Sequence, residues 1–310
     1  MFISKKAEDK SSFRRIFKYF PNARTGIRFV IEQFDIAKQG ILLPSYIGWS
    51  PKEGSGVFDP IKELRCKYDF YMIKNGLQID MDDFCYKLRI LKPKAVLVIH
   101  YFGFVDKNIS KISSLCRANR VLLIEDQAHS MLSDLIGGIS GMYGDISIYS
   151  LHKILPLKKG GVVVMKPIYD NARESSYFRF FQYNLSAISK RRVENWNYIL
   201  NILKNSNNHN ISPLFNNLRP GTVPQSFPVL INKGDRDNIY FELNAEGYGV
   251  TSLYHTLIEE IDKREFPEAY EVSKRILNLP VHQNANIKCI RNMMKRLQSL
   301  TGRLNDKSIR

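Results

Sequence analysis

The 310-residue chain is poor in cysteine and tryptophan and has no long apolar run. Its four cysteines, Cys66, Cys85, Cys116 and Cys289, include no pair at CxxC spacing and have no histidine cluster beside them. That argues against a structural zinc or a redox dithiol. Four thiols in a chain of this size fit a reducing cytosol instead. The longest purely apolar stretches, Ala95–Ile99 and Val121–Ile124, have strand length, whereas a bilayer needs roughly 20 residues. The N-terminus is charged and aromatic, without the apolar segment of a secretory signal. The expectation is a cytoplasmic protein with no membrane span.

Acidic residues are also scarce. Thirty Asp+Glu against 46 Lys+Arg leave a net charge of +16. Such an excess invites nucleic acid, an anionic membrane surface or a phosphorylated ligand. Much of it lies at the ends. Residues 1–20 carry a net +4 and residues 288–310 a net +6. Basic ends read as solvated, poorly ordered tails, and no nucleic-acid partner is expected.

The rest has ordinary globular composition, 44% hydrophobic and 25% charged, at a length that suits two domains. Apolar periodicity predicts a helix over 24–38, stopped by Gly40, then a short strand over 41–43 ended by Pro44. Residues 45–60 read as loop, 67–73 as strand, and 82–91 as a helix capped by Asp80 or Asp82. Strands at 94–100, 121–125, 145–150 and 161–165 alternate with a helix at 109–119. That alternation predicts an α/β domain around a buried, mostly parallel sheet. After Pro167 the texture changes. Residues 168–204 read as helical, with Tyr177, Phe178, Phe180, Phe181 and Trp196, and 205–224 as an Asn/Pro-rich loop. A strand at 227–231, a helix at 236–246, a strand at 249–252 and helices at 267–276 and 287–297 follow. The division is a large α/β domain over 1–167 and a smaller α+β domain over 168–310.

In an open parallel sheet, ligands lie beyond the carboxyl ends of the strands. Glu125, Asp126, Gln127 and His129 follow one predicted strand there, and Ser150, His152 and Lys153 follow the next. Asn22, Ala23, Arg24 and Thr25 open a helix whose backbone amides suit a phosphate. A carboxylate, a Ser-x-x-Lys, a histidine and a helix N-terminus on one rim suggest a pyridoxal 5'-phosphate site. Lys153 would form the Schiff base and shuttle protons, and Asp126 would keep the pyridine nitrogen protonated. Ser150 would hold the phosphate and His129 the ring hydroxyl. Each residue singly has an ordinary alternative: a helix cap, a satisfied histidine, a surface lysine. Only the constellation carries the reading.

Several segments, in order, resemble the DegT/DnrJ-type nucleotide-sugar aminotransferases. They are NARTGI, ILLPSY, VIHYFGF, VLLIEDQAHS and GDISIYSLHK with KKGGVVV, then late segments ending in FPEAYEVSKRILNLPVH. The resemblance implies the pyridoxal-phosphate fold type I, with a seven-stranded sheet and a smaller C-terminal domain. It further implies a homodimer with active sites at the interface and amino transfer to a keto group on a nucleotide-linked sugar. Glutamate would be the amino-acid donor, in surface-polysaccharide or amino-sugar synthesis. It assigns Asp126, His129, Ser150 and Lys153 the roles given above, and the phosphate to the backbone of Ala23 and Arg24. The ring-stacking residue would come from the loop after Pro44, with Trp49 the candidate and Tyr46 the alternative.

The chain departs from the family in places. Many members place the lysine five residues after the serine, where Leu155 stands here; Lys153 is preferred over Lys158 and Lys159. Lys158–Lys159 replace the family's glutamate before Gly-Gly, and Ala23 replaces a glycine. The regions around 52–60 and 182–196 are short. Lys190, Arg191 and Arg192 could meet a nucleotide diphosphate. Two rival readings are a sugar dehydratase using the same cofactor and a catalytically silent binding protein.

Overall fold

Five strand-forming runs of the sequence are buried at every position: Ile41–Pro44, Ala95–Ile99, Leu122–Asp126, Ile146–Ser150 and Gly161–Met165. Unbroken burial of Val, Ile and Leu, rather than alternation, is what a sheet covered on both faces requires. The computed structural model, which describes residues 15–169 and 182–302, sets these runs in one seven-stranded sheet. In chain order the strands are β1 (Ile16–Phe20), β2 (Ile41–Pro44), β3 (Tyr68–Tyr71), β4 (Ile73–Lys74), β5 (Gln78–Ile79) and β6 (Ala95–Ile99). Then come β7 (Leu122–Asp126), β8 (Ile146–Ser150), β9 (Gly161–Met165), β10 (Ile211–Pro213), β11 (Ser226–Ile231) and β12 (Ile276–Pro280). The first five helices are α1 (Ala23–Gln33), α2 (Ile36–Gln39), α3 (Asp59–Glu63), α4 (Met81–Leu91) and α5 (Ile109–Ala118). The others are α6 (Met131–Leu135), α7 (Leu185–Lys204), α8 (Arg236–Ala245), α9 (Pro267–Arg275) and α10 (Ile287–Gly302).

The large sheet has the order β1-β9-β8-β7-β6-β2-β3. Its members β3, β2, β6, β7 and β8 pair in parallel, and β9 runs against both β8 and β1. The expected α/β class with a mostly parallel sheet is therefore what the chain forms. A second, antiparallel sheet, β10-β11-β12, shares a separate apolar core with α7, α8 and α10. Trp196 on α7 is fully buried there against Phe227 of β11, ring centroids 5.0 Å apart.

Some local expectations change. Residues 16–20 are not tail but the edge strand β1, whose Lys18 ammonium lies 5.1 Å from the Phe29 ring centroid. A charged, half-buried edge strand lacks the apolar run by which inner strands are read. The helix expected at 287–297 is α10, which runs on to Gly302 and buries Ile290, Met293, Met294 and Leu297, so this part of the basic C-terminal end is not a tail. Its Arg296 bridges Glu242 and Glu246 at 2.6 and 2.5 Å. Residues 276–280, where the predicted helix at 267–276 ends, form β12, and within 249–252 only Thr251 makes a bridge, to Asn278. Tyr177, Phe178, Phe180 and Phe181, and the outermost tail residues 1–14 and 303–310, lie outside the described residues. No described helix is long and apolar enough to cross a membrane.

Candidate active site

Two neighbouring parallel strands bring the predicted residues together. β7 ends at Asp126, whose Oδ1 accepts the Ala128 amide at 2.8 Å and turns the chain so that His129 points back into the protein. β8 ends at Ser150, and a 3₁₀ turn over Leu151–Lys153 follows it. That turn carries the Lys153 side chain to His129, Nζ 3.1 Å from Nε2. On the other side of the imidazole, Nδ1 accepts the Phe102 amide at 3.4 Å. With Nδ1 as acceptor the proton belongs on Nε2, the nitrogen that faces the Lys153 amine.

The electrostatics agree. Burial pulls the Lys153 ammonium below its ordinary range, although the carboxylates of Asp126 and Glu53 oppose it. Burial, reinforced by Lys153, pushes His129 well down, so the imidazole is neutral. Burial raises Asp126, with the Ala128 amide and Lys153 pulling the other way. Desolvation is the largest cause in all three groups. Lys153 is itself exposed, as are Lys158 and Lys159, and is set apart by its amine, part-buried against His129.

The other end of the site is a helix N-terminus. The Asn22 side chain caps α1 by accepting the Thr25 amide at 2.9 Å. The amides of Ala23 and Arg24 have no intrahelical acceptor. α1 is pressed onto β9 through Gly161, where a Cβ would come within 2.3 Å of the Asn22 carbonyl carbon and 2.6 Å of the Ala23 nitrogen. Gly161 pairs with Ser150 in the sheet, so the first turn of α1 stands beside that hydroxyl. A helix N-terminus next to a hydroxyl is built to hold a phosphate. Ser150 Oγ is 3.3 Å from His152 Nδ1. The Arg24 guanidinium lies 3.3 Å from Asp59 Oδ2 and donates to the Glu53 carbonyl, and so fastens the 50–59 segment to the start of α1.

Glu125 and His100 have a different task. Strand alternation sends Glu125 to the face opposite Asp126. There, fully buried, it meets His100 Nε2 at 2.9 Å and accepts the Gly141 and Gly144 amides at 3.0 and 2.5 Å. Burial would raise its carboxyl, but His100 and those amides hold it below the ordinary range. Arg192 does not face a nucleotide. It is 2% exposed and donates to the carbonyls of Ile154, Pro224 and Gln225. Among the described residues no group of three His, Cys, Asp or Glu side chains is placed to hold a metal.

Sequence reasoning missed the aromatic wall. Tyr46, Tyr101, Phe102, His129 and Tyr254 form one ring cluster, with Phe102 parallel to His129 at 5.8 Å. The aromatic pair in VIHYFGF, immediately after β6, and the tyrosine of the late YH pair were the available signals. Trp49 is 43% exposed and joins no ring contact among the described residues.

The arrangement fits pyridoxal phosphate. It offers a phosphate cradle that a Cβ at Gly161 would fill, a buried carboxylate, and a lysine amine whose charged form burial disfavours.

Comparison with known proteins bears out the family resemblance. Residues 77–177 match the DegT/DnrJ/EryC1/StrS aminotransferase family. A dTDP-4-dehydro-2,3,6-trideoxy-D-glucose 4-aminotransferase of Saccharopolyspora spinosa is 37% identical over 71 residues, 22% of this chain and 18% of the relative. GDP-perosamine synthase of Vibrio cholerae is 32% identical over 91 residues, 29% of this chain and 24% of the relative. The matched part thus spans at most about a quarter of those relatives' length. In three dimensions the likeness is wider. The aminotransferase TlmJ of Streptoalloteichus hindustanus superimposes with a TM-score of 0.74 at 19% identity, over 93% of this chain and 86% of its own. A Streptococcus pneumoniae protein described as a sugar aminotransferase, in its PLP form, gives 0.76 at 14% identity, over 93% and 87%. The dehydratase ColD with bound GDP-perosamine gives 0.71 at 16% identity, over 91% and 88%. The chain has the fold of these enzymes.

Proposed function

From that family match and fold we propose that this chain is a pyridoxal-phosphate-dependent aminotransferase acting on a nucleotide-linked keto sugar. The observation that carries the proposal is Lys153 Nζ at 3.1 Å from His129 Nε2, on the strand-end rim that also holds Asp126, Ser150 and the first turn of α1. Bound there, the cofactor would supply an electron sink for a carbanion next to the transferred nitrogen. The Ala23 and Arg24 amides and the Ser150 hydroxyl would hold its phosphate. Asp126 would set its charge against the ring nitrogen, a pairing that offsets the penalty of burying that carboxylate. His129 would orient the ring hydroxyl. Lys153 would first attach the cofactor and then carry a proton between two substrate atoms, work that requires the neutral amine its surroundings favour.

Glutamate as amino donor, a place in surface-polysaccharide or amino-sugar synthesis, and a homodimer with shared sites are further parts of the proposal. Their support is the family resemblance, and the substrate class is supported by the names of the two curated relatives. Residence in the cytoplasm is a further part of the proposal, supported by the four free thiols.

The test is the visible spectrum of the purified chain with added pyridoxal phosphate, before and after borohydride, for wild type and Lys153→Ala. Wild type should take up the cofactor and fix it covalently on reduction, with the mass increment on the peptide containing Lys153; the variant should not. No uptake by wild type favours the silent binding protein. Covalent fixation in the variant would remove Lys153 from its role. Uptake without conversion of the cofactor to its aminated form by glutamate would favour a dehydratase, whose fold the chain shares.

A further inference from the structure

Neither Tyr46 nor Trp49 of the loop after Pro44 is in ring contact with His129 among the described residues. Trp49 is 43% exposed and outside the ring cluster. Tyr46 is fully buried, and a second ring lies flat against it: Tyr254, centroids 4.8 Å apart and planes inclined by 19°. Tyr254, not Tyr46, makes the contact to His129, edge to face at 6.0 Å, and also meets Phe102 at 5.5 Å and Tyr101 at 5.4 Å.

Position 48 is what admits it. A Cβ on Gly48 would come 3.0 Å from Tyr254 Cδ1 and 3.4 Å from Cε1, tighter than ordinary contact. The backbones on either side are sewn together. Gly48 bridges Leu257, the Trp49 amide donates to the Thr256 carbonyl at 3.0 Å, and the Ile258 amide donates to the Ile47 carbonyl at 3.0 Å. The second segment thus lends its side chain to the loop of the first.

Tyr254 is also held in a costly conformation. Its φ of 60° lies in the left-handed region, where a bulky L-residue is an outlier. Three side-chain donors fix the consecutive carbonyls around it: Asn278 to Leu253 at 2.9 Å, Ser273 to Tyr254 at 2.8 Å and Arg236 to His255 at 3.4 Å. A strained backbone pinned at three successive carbonyls, on a side chain facing the functional rim, marks a position selected for where its ring stands. The field of Asp126 reaches the phenol, consistent with a ring beside the carboxylate that would face the cofactor nitrogen.

We propose that Tyr254 is the aromatic residue that packs against the cofactor ring in this chain, in place of a residue on the loop after Pro44. The inference rests on the pyridoxal-phosphate reading above. A partner of this kind contributes shape, dispersion and ring electrostatics rather than charge.

The test is a titration of the cofactor-free full-length chain with pyridoxal phosphate, followed by visible absorbance and by the circular dichroism induced in the bound cofactor. Tyr254→Phe keeps the ring and should bind within about twofold of wild type. Tyr254→Leu, similar in apolar bulk but without a ring, and Tyr254→Ala should bind about tenfold more weakly and change the induced signal. Trp49→Ala should match wild type. Equal affinity and signal in wild type and Tyr254→Leu overturn the assignment, as does the loss appearing in Trp49→Ala instead. Tighter binding by Tyr254→Ala would mean that the ring obstructs the cleft, and also overturns it. Should Tyr254→Ala not fold, the Phe–Leu comparison decides. If wild type takes up no cofactor, the underlying functional reading falls and this inference with it; if only the Tyr254 contrast is missing, that reading stands.

Discussion

Arg192 is a guanidinium with neutral partners, and removing it should disturb both the fold and the site. It donates to the Gln225 carbonyl at 2.9 Å and to those of Ile154 and Pro224 at 3.3 and 3.4 Å. Ile154 follows Lys153 in the chain, and the Gln225 amide donates in turn to the Phe102 carbonyl at 2.8 Å. One side chain therefore ties the lysine turn to the segment beside the aromatic wall. An orphaned buried carbonyl costs about 1–2 kcal/mol, so three cost about 3–6 kcal/mol. Against this stands a cost that the charge itself carries. Burial lowers the guanidinium from 12.5 to about 10, equivalent to about 3 kcal/mol. Arg192→Met keeps much of the apolar stem while removing the charge. The expected net loss is about 1.5 kcal/mol, or about 2 °C in the melting temperature of a 310-residue chain. Urea and thermal melts by circular dichroism measure it. Cofactor affinity, titrated on the same samples, should fall several-fold because the turn bearing Lys153 is loosened. An Arg192→Met protein that melts and binds like wild type would refute the clamp. Arg192→Lys should restore only part of the loss, since a single ammonium cannot reproduce the fork that reaches carbonyls on both sides.

Gly161→Ala should separate α1 from β9, because the added methyl would meet the Asn22 and Ala23 backbone at 2.3–2.6 Å. A loss of about 1–3 kcal/mol in stability and at least tenfold in cofactor affinity is expected. Gly56→Ala, where a Cβ meets nothing within 4 Å, is the control, and equal behaviour of the two variants would contradict the phosphate cradle. Asp134 makes a pH prediction. Burial lifts its carboxyl from 3.8 to about 6, although the Tyr149 hydroxyl donates to it and pulls the other way. The native state keeps this proton where the unfolded chain has lost it. The contribution is therefore full below about pH 3.8 and lost as pH rises through about 6. Asp134→Asn preserves the acceptor for Tyr149 without the charge. It should gain about 1–2 kcal/mol on wild type between about pH 4 and pH 7.5, after allowance for partial solvent screening. Urea melts at both pH values would show a constant difference if the buried carboxylate carried no such penalty.

How much was legible follows from the range of each signal. Strands β6 to β9 stood out because burial on both faces makes them apolar at nearly every position. Asp126, His129, Ser150 and Lys153 could be singled out because they follow such strands within a few residues, and the topology brings strand ends to one rim. β1 was hidden because Ile16–Phe20 lies half-buried at an edge beside a run of basic residues. β12 was obscured by α9, which runs into it without a break at Arg275–Ile276. Tyr254 and Arg192 lie far along the chain from the rim and reach it through tertiary contacts. A local motif cannot carry that information; Gly48, which makes room for Tyr254, looks in sequence like one more loop glycine.

The charge excess has a structural account of the same kind. A cation paired with a carboxylate cancels in the formal sum, but one that serves a backbone carbonyl does not. Arg192 donates to three carbonyls. Arg236 donates to those of Ser273, Ile276 and His255 while also meeting Asp237 Oδ1 at 2.8 Å. Arg219 donates to that of Val105, and Arg24 shares its guanidinium between Asp59 and the Glu53 carbonyl. Each ties together segments that no secondary structure joins: the lysine turn to 224–225, the Tyr254 segment to the end of α9, and the loop after β6 to the 214–222 loop. A guanidinium suits this work because its planar fork reaches two or three acceptors at once and stays charged even when burial lowers its pKa. Part of the +16 therefore reflects arginines holding connections around the site. A salt-dependent polyanion partner is not needed to explain it. Replacing Arg219 or Arg236 should accordingly loosen loops rather than abolish association with an anionic surface.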